Sequence, residues 1–365
     1  VSPGKVFLVT DHFWPDIGGL ESSTRYLAEA LGRRVPVEVL TSTPQRRAGE
    51  LETIAVRRFS ASRAAPYASM YELIRSDQAD RKAVCFFGFS DSWTNEHLEM
   101  LARVRTVVDC VTFKVPSLHE FSYYVDCPQR LEHLLAADHI FCLNPAIADE
   151  LCQGGVPSRK LHALANGVPC DRFAPIPRQK RRQLRKDLGI PPGCAFVFTG
   201  RFAARKRVDR LVEAFRQVPS AQLVLVGYFD DRFDAGSCFD VNASANIQVF
   251  SATHNVLPFL QAADVFVSAS AAEGMPNALL EAMACGLPAV VSRIPGHAEV
   301  VKAGCNGLLF DSDSVQPLVD AVRYMVDNPN EVAAMSRLSR KTAVAEFDIE
   351  RVADEYLRLL AGGAS

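Results

Sequence analysis

At 365 residues the chain is long enough for more than one ordinary hydrophobic core, so two domains are expected. Its 48% hydrophobic and 22% charged residues are globular values, and a net charge of −2 gives no bulk attraction to nucleic acid. No apolar run approaches the roughly 20 residues of a membrane span, and the apolar stretch after Lys5 is too short for a signal peptide and is interrupted by Asp11. The ten cysteines form no C-x-x-C pair; Cys85, Cys142, Cys194 and Cys285 sit in apolar runs and read as buried thiols of a reducing cytosol. No His/Cys group has zinc spacing, and no metal is expected.

Apolar strands alternate with helices along the chain, the pattern of parallel sheets covered on both faces. In the first half, strands are expected over 5–10, 37–41, 54–58, 84–87, 106–110 and 139–143. A helix follows from Asn144-Pro145 to Leu151, with Asn as N-cap and Pro in the first turn. Prolines and Asn166-Gly167 interrupt the pattern over 167–177, where the seam between domains is placed. The second half restarts with strands over 195–199, 223–226, 247–250, 265–268, 289–291 and 308–310. A last helix over 349–360 lies beyond the second sheet.

Two segments carry the chemistry. In the first, the strand ending at Gly200 leads into Arg201, Arg205, Lys206 and Arg207, and then into an amphipathic helix marked by Val208, Leu211, Val212 and Phe215. A strand, a glycine and a cationic loop opening a helix form a phosphate-holding device, because backbone N–H groups and the positive helix end face the anion. The second runs from Glu273 to Gly286. A helix from Pro276 to Gly286 surrounds Glu281 with Leu279, Leu280, Ala282, Met283, Ala284 and Cys285, so Glu281 is a buried carboxylate in need of a donor. The vicinal hydroxyls of a ribose would supply one. Glu273 precedes that helix by a few residues.

Taken together, these segments resemble the motifs of the retaining nucleotide-sugar glycosyltransferases of the GT-B fold, in the large family of bacterial mannosyl-, glucosyl- and N-acetylglucosaminyl-transferases. The resemblance covers nearly the whole chain: Pro15 to Glu21 with Gly18-Gly19, Ala137 to Val168, Gly200-Arg201 with Lys206, Glu273 to Glu281 with seven residues between the glutamates, Ile294 to Glu299, and Asn306 to Phe310. It implies two Rossmann-like α/β domains facing across a cleft, an acceptor domain over 1–168 and a donor domain over 169–348, with helix 349–360 returning to the first. It also implies a hexose moved from a nucleoside diphosphate sugar to an acceptor hydroxyl with retention, without metal or other cofactor. Arg201 and Lys206 would stabilise the leaving diphosphate, Glu273 and the amides of Gly274, Met275, Pro276 and Asn277 would meet the sugar, Glu281 the ribose, and Gly18 and Gly19 the donor's backbone approach.

The chain departs from the family at one place. The His-Asp pair usual near the end of a first-domain strand is absent, and Asp109 in Val107-Val108-Asp109-Cys110 stands at the histidine position, with His119 and Glu120 as substitutes from the next loop. His12, after the first strand, is a further candidate. Acceptor candidates are Phe86 to Phe89, Trp93 and the 113–124 loop. The pairs Arg33-Arg34, Arg46-Arg47 and Arg57-Arg58 would allow a cytoplasmic protein to touch the inner face of a membrane if the acceptor is a lipid. Asp230, Asp231 and Asp234 read as solvated loop. The competing readings are a sugar-nucleotide epimerase of the same fold, which needs no acceptor, and a catalytically silent sugar-nucleotide-binding protein.

Overall fold

The structure is a computed structural model that describes residues 3–43, 54–59, 66–87, 95–115, 128–230 and 244–362. The chain divides into two compact units, Val1–Gly167 with Ile349–Ser365, and Val168–Asp348.

The first unit is a seven-stranded sheet in the order β3-β2-β1-β4-β5-β6-β7, all pairs parallel. Its strands are β1 (Lys5–Thr10), β2 (Val37–Thr41), β3 (Ala55–Arg58), β4 (Lys82–Phe87), β5 (Cys110–Val115), β6 (His139–Cys142) and β7 (Leu161–Ala163). Helices α1 (Gly19–Gly32), α2 (Pro66–Ser76), α3 (Asn95–Val104), α4 (Pro128–Ala136) and α5 (Pro145–Gln153) alternate with them. β1, β4 and β5 are buried along almost their whole length, as parallel strands covered on both faces must be. Asn144 caps α5 by accepting from the Ile147 N–H, with Pro145 in the first turn.

The C-terminal helix of this unit spans Ile349–Leu360 and packs against α1. Its Tyr356 is 1% exposed and packs, tilted, on Phe141 of β6 with 4.2 Å between ring centroids. Arg33 and Arg34 at the end of α1 bind Glu350, and Arg34 also binds Asp354 at 2.6 Å. Arg57 pairs with Glu38, and Arg58 donates to the carbonyls of Trp14 and Thr43. The two described basic pairs expected to meet a membrane are therefore engaged within their own unit. Arg46-Arg47 lies outside the described residues, as do Phe89, Trp93, His119, Glu120, Asp231 and Asp234.

The second unit is a six-stranded parallel sheet in the order β10-β9-β8-β11-β12-β13. Its strands are β8 (Cys194–Thr199), β9 (Ala221–Gly227), β10 (Ile247–Ser251), β11 (Val265–Ser268), β12 (Ala289–Ser292) and β13 (Gly307–Phe310). Helices α6 (Arg178–Asp187), α7 (Val208–Arg216), α8 (Leu257–Ala262), α9 (Asn277–Ala284), α10 (Pro295–Ala298), α11 (Gln316–Asp327) and α12 (Pro329–Glu346) complete it, leaving α13 for Ile349–Leu360 of the first unit. Phe196 and Phe215, both fully buried, meet edge to face at 5.1 Å and join α7 to the sheet. Each such side chain contributes about 1.5–3 kcal/mol by leaving water.

In both units the strand order turns around beside one strand, β1 in the first and β8 in the second. Open parallel sheets place ligands beyond the carboxyl ends of their strands at that switch point. The loops after β8 and β11 flank it in the second unit.

Candidate active site

β8 ends at Thr199, and the chain passes through Gly200 into a short 3-10 turn, Ala204–Lys206. The turn approaches so closely that a Cβ on Gly227 of β9 would stand 1.9 Å from the Gly200 carbonyl oxygen, so position 227 requires glycine. Arg207 then adopts the left-handed conformation, φ 47°, immediately before α7, and its guanidinium donates to the carbonyl and hydroxyl of Ser312 at 3.2 Å. A non-glycine residue held in that region stores strain, and such strain clusters at functional loops.

Lys206 binds the Glu273 carboxylate, and Arg205 stands 3.6 Å from the other carboxylate oxygen. Glu273 is 8% exposed. Burial pushes its pKa up, but Lys206 and Arg205 outweigh that and hold it below the ordinary glutamate value, with a further bond from the Ser270 hydroxyl. Burial lowers the Lys206 pKa against the pull of Glu273. The two loops are also tied by their backbones, the Ala271 N–H donating to the Arg205 carbonyl at 2.8 Å.

A third segment closes on Glu273. α10 brings Gly296 against the loop, where a Cβ would meet the Glu273 carbonyl oxygen at 2.3 Å. The next residue, His297, is fully buried. Its Nδ1 lies 2.9 Å from the Ser292 carbonyl oxygen, and because a carbonyl only accepts, Nδ1 carries the proton and Nε2 is the acceptor nitrogen. Burial pushes the His297 pKa down to about 4, so the ring is neutral at pH 7. Ser292 in turn donates to the Ser270 carbonyl at 2.6 Å. The constellation of Lys206, Glu273, Ser270, Ser292 and His297 thus has one charged pair and one fixed imidazole tautomer.

Glu281 lies in α9 and is 6% exposed; the residues around it on that helix are buried. Gly274, Met275 and Pro276 form the turn into α9, where Pro276 is the N-cap and Asn277 the first helical residue. The backbone N–H groups of Gly274, Met275 and Asn277 thus lie at the opening of the helix, next to Glu273 in the chain. Arg201 is about half exposed and reaches Asp230 at 3.4 Å rather than Glu273. In the first unit, Gly18 is the extended N-cap of α1 and Gly19 its first residue, and His12 is exposed in the loop after β1.

Asp109 requires a correction. β5 starts at Cys110 and not at 106, because the Thr106 and Val107 N–H groups are used by the carbonyls of Arg103 and Val104 at the end of α3. Asp109 therefore stands, exposed, at the amino edge of the sheet, where its carboxylate accepts from the Lys82 N–H at 2.8 Å. That edge is opposite the carboxyl ends of the strands, so Asp109 loses its candidate role at the anomeric centre. The carboxyl end of β5 instead carries Lys114, 4% exposed and bound to Asn166 Oδ1 at 2.6 Å.

His297, Ser270 and Ser292 are the site residues the sequence did not single out. Serines in an apolar strand and a histidine after Pro-Gly carry little signal alone. A histidine beside a glycine in the segment 294–299 was the available hint. Among the described residues, no group of three His, Cys, Asp or Glu side chains is placed to hold a metal ion.

Comparison with known proteins accords with this geometry. Residues 180–342 match the family described as Glycosyl transferases group 1, a segment containing Arg201, Lys206, Glu273, Glu281 and His297. The chain superposes on the crystal structure of Anabaena Alr3699/HepE in complex with UDP-glucose with a TM-score of 0.81, at 17% identity, over 98% of this chain and all of that one. Residues 180–342 thus carry the group 1 glycosyltransferase match, and the chain as a whole shares the two-domain α/β fold of that neighbour.

Among individual relatives, it is 29% identical over 238 residues to the lipopolysaccharide core biosynthesis glycosyltransferase LpsE of Rhizobium meliloti (strain 1021), covering 65% of this chain and 68% of that protein. It is 29% identical over 248 residues to the UDP-Gal:alpha-D-GlcNAc-diphosphoundecaprenol alpha-1,3-galactosyltransferase of Escherichia coli, covering 64% of this chain and 61% of that one.

Proposed function

We propose that the chain moves a hexose from a nucleoside diphosphate sugar to an acceptor hydroxyl with retention at the anomeric carbon and without a metal ion. The observation that carries this reading is the buried pairing of Lys206 with Glu273 at the switch point of the second sheet, beside the N–H groups that open α9. An ammonium has three donors. Lys206 can keep Glu273 and still reach a diphosphate oxygen, with Arg201 as the second, more exposed cation.

In the reaction the bond from the anomeric carbon to the diphosphate oxygen breaks and its electron pair leaves with the diphosphate. Lys206 and Arg201 stabilise that growing negative charge. The acceptor oxygen attacks from the same face and its proton passes to the departing phosphate. Glu273, kept ionised, and the amides of Gly274, Met275 and Asn277 hold the sugar as it takes on oxocarbenium character. Glu281 takes the ribose hydroxyls. His297, neutral, holds Ser292 through its Nδ1–H, and Ser292 in turn holds the Ser270 carbonyl three residues before Glu273. The UDP-glucose bound by the Anabaena neighbour and the sugar-nucleotide donor named for the Escherichia coli relative support a donor of this class. A lipid-linked glycan is the acceptor class in keeping with the two relatives described above.

A thermal-shift screen of UDP-, GDP-, ADP- and TDP-sugars tests the donor, since a ligand bound only by the folded state raises Tm. The sugar nucleotide that stabilises the protein is then incubated with it, with and without chelator, and the products are followed by NMR. Transfer or slow hydrolysis with an unchanged anomeric configuration and no chelator effect is expected. An isomerised sugar nucleotide would make the protein an epimerase, and binding without turnover would make it a silent binder.

A further inference from the structure

The second unit has a cavity of about 510 Å3 that no step above uses. Its walls include Cys194, the first residue of β8, Asp264, which precedes β11, and Leu287, which precedes β12. It therefore opens at the amino edge of the sheet, opposite the loops of Lys206 and Glu273. Its volume falls in the ~300–1,000 Å3 range of small-molecule sites.

The cavity is divided chemically. One part is made by Arg181 and Arg185, one turn apart on α6, and by Asp264. Both guanidinium groups bind the Asp264 carboxylate, which also accepts from the Ala195 N–H at 2.9 Å. Two cations against one anion leave a single positive charge. Arg185 is engaged at all three nitrogens, with further bonds to the carbonyls of Ala262 at 2.6 Å and Gly193 at 3.2 Å. Arg181 is not: its Nη2 bonds the Ala263 carbonyl and Asp264, whereas its buried Nε has no hydrogen-bond partner among the described residues. That Nε is closed off from solvent, but the Arg181 side chain as a whole is 32% exposed, so the surplus charge can be reached from the cavity. The other part is apolar, lined by Leu260, Leu287, Met325, Val326 and Val332. The two thiols on the wall, Cys194 and Cys285, are pushed up by burial to about 12, so they stay protonated and give the cavity no nucleophile.

We propose that this cavity is a second ligand site, separate from the candidate donor site, that takes a small monoanionic amphiphile: a carboxylate on Arg181 with a short alkyl body along Leu287, Met325 and Val332. A monoanion matches the surplus charge, and the planar edge of a guanidinium matches a carboxylate. The site has a structural link to the chemistry. β8 and β11 run from it to the loops of Lys206 and Glu273, and Cys285 on its wall caps the end of α9, the helix that carries Glu281. α12 pins that end: the Ser336 hydroxyl donates to the Gly286 carbonyl at 2.5 Å and Arg340 to the Ala284 carbonyl at 2.6 Å.

The test is calorimetric titration of the whole chain with octanoate, in the absence of nucleotide, so that its outcome is independent of the glycosyltransferase reading. Octan-1-ol and acetate are the controls lacking the charge and the chain. Saturable binding of one octanoate is expected, at least tenfold tighter than either control, with a Tm rise of about 3–5 °C at ten times the Kd. Arg181→Gln removes the charge, Ala333→Trp puts bulk into the cavity from the exposed side of α12, and Arg178→Gln changes an exposed cation of α6 outside the cavity. The first two weaken binding at least tenfold and the third leaves it unchanged. Because Ala333 is exposed, that variant tests the site even if Arg181→Gln fails to fold. Absence of saturable binding to the parent protein overturns the proposal, as does equal affinity in Ala333→Trp and Arg178→Gln.

Discussion

The two sheets share one architecture but handle a buried carboxylate beside the switch strand differently. In the second unit Glu273 is ionised and gripped by Lys206 and Arg205. In the first, Asp11 follows β1, is 9% exposed, and accepts from the Tyr67 hydroxyl at 2.5 Å, with the His97 ring tilted against Tyr67 at 3.7 Å between centroids. The proximity of Asp11 raises the phenol pKa further above the value that burial alone would set, so Tyr67 is a neutral donor. Charge is thus concentrated in one unit and spread into polar hydrogen bonds in the other. A cation that can be shared with a phosphate suits a donor that releases a diphosphate. A hydroxyl network suits a surface that meets uncharged oxygens.

The comparison breaks most sharply at Lys206. Lys206→Ala is expected to lower turnover of the stabilising sugar nucleotide by about 10²–10³-fold, the usual loss when one donor to a developing anion is removed, with the circular dichroism spectrum unchanged. A variant retaining full turnover would remove the proposed role. The next effect is on pH. His297 titrates at about 4 in the folded protein against about 6.5 when unfolded, so the unfolded chain binds more protons in between. Its contribution to stability is fully present above pH 6.5 and is lost as the pH falls toward 4, on the order of 3 kcal/mol. Urea unfolding at pH 7.5, 6 and 5 measures this slope, and His297→Gln should flatten it.

Gly296→Ala is expected to cost about 2 kcal/mol and to weaken nucleotide-sugar binding, because the new methyl meets the backbone of Glu273 rather than a flexible side chain. Unaltered stability and affinity would show that α10 can retreat from the loop freely. Smallest is Tyr67→Phe, at about 1 kcal/mol for the lost bond to Asp11. It should leave the Tm shift produced by the nucleotide sugar intact, which distinguishes the two sheet edges in a single pair of measurements.

The alternation of apolar strands and helices was legible in the sequence, and so were the burial of Glu281 and the cationic loop after β8. The Lys206–Glu273 pairing was not. The two residues are far apart along the chain, and only the placement of β11 beside β8 brings their loops together. Strand β5 was misplaced for a local reason. The β-branched run 106–108 has strand propensity, but the end of α3 consumes its first N–H groups, and the real strand contains a lysine that disguises it. Arg201 was read as the equal of Lys206, although its length and exposure carry it to Asp230. β7 was missed because three half-exposed residues carry no alternation.

The helix Ile349–Leu360 belongs to the first unit, whose sheet precedes the second unit in the chain. During synthesis the second unit can complete its core as soon as residue 348 has emerged, while the first still lacks the cover over Phe141. Residues 3–167 are therefore made before the second unit, yet their sheet is covered only after it.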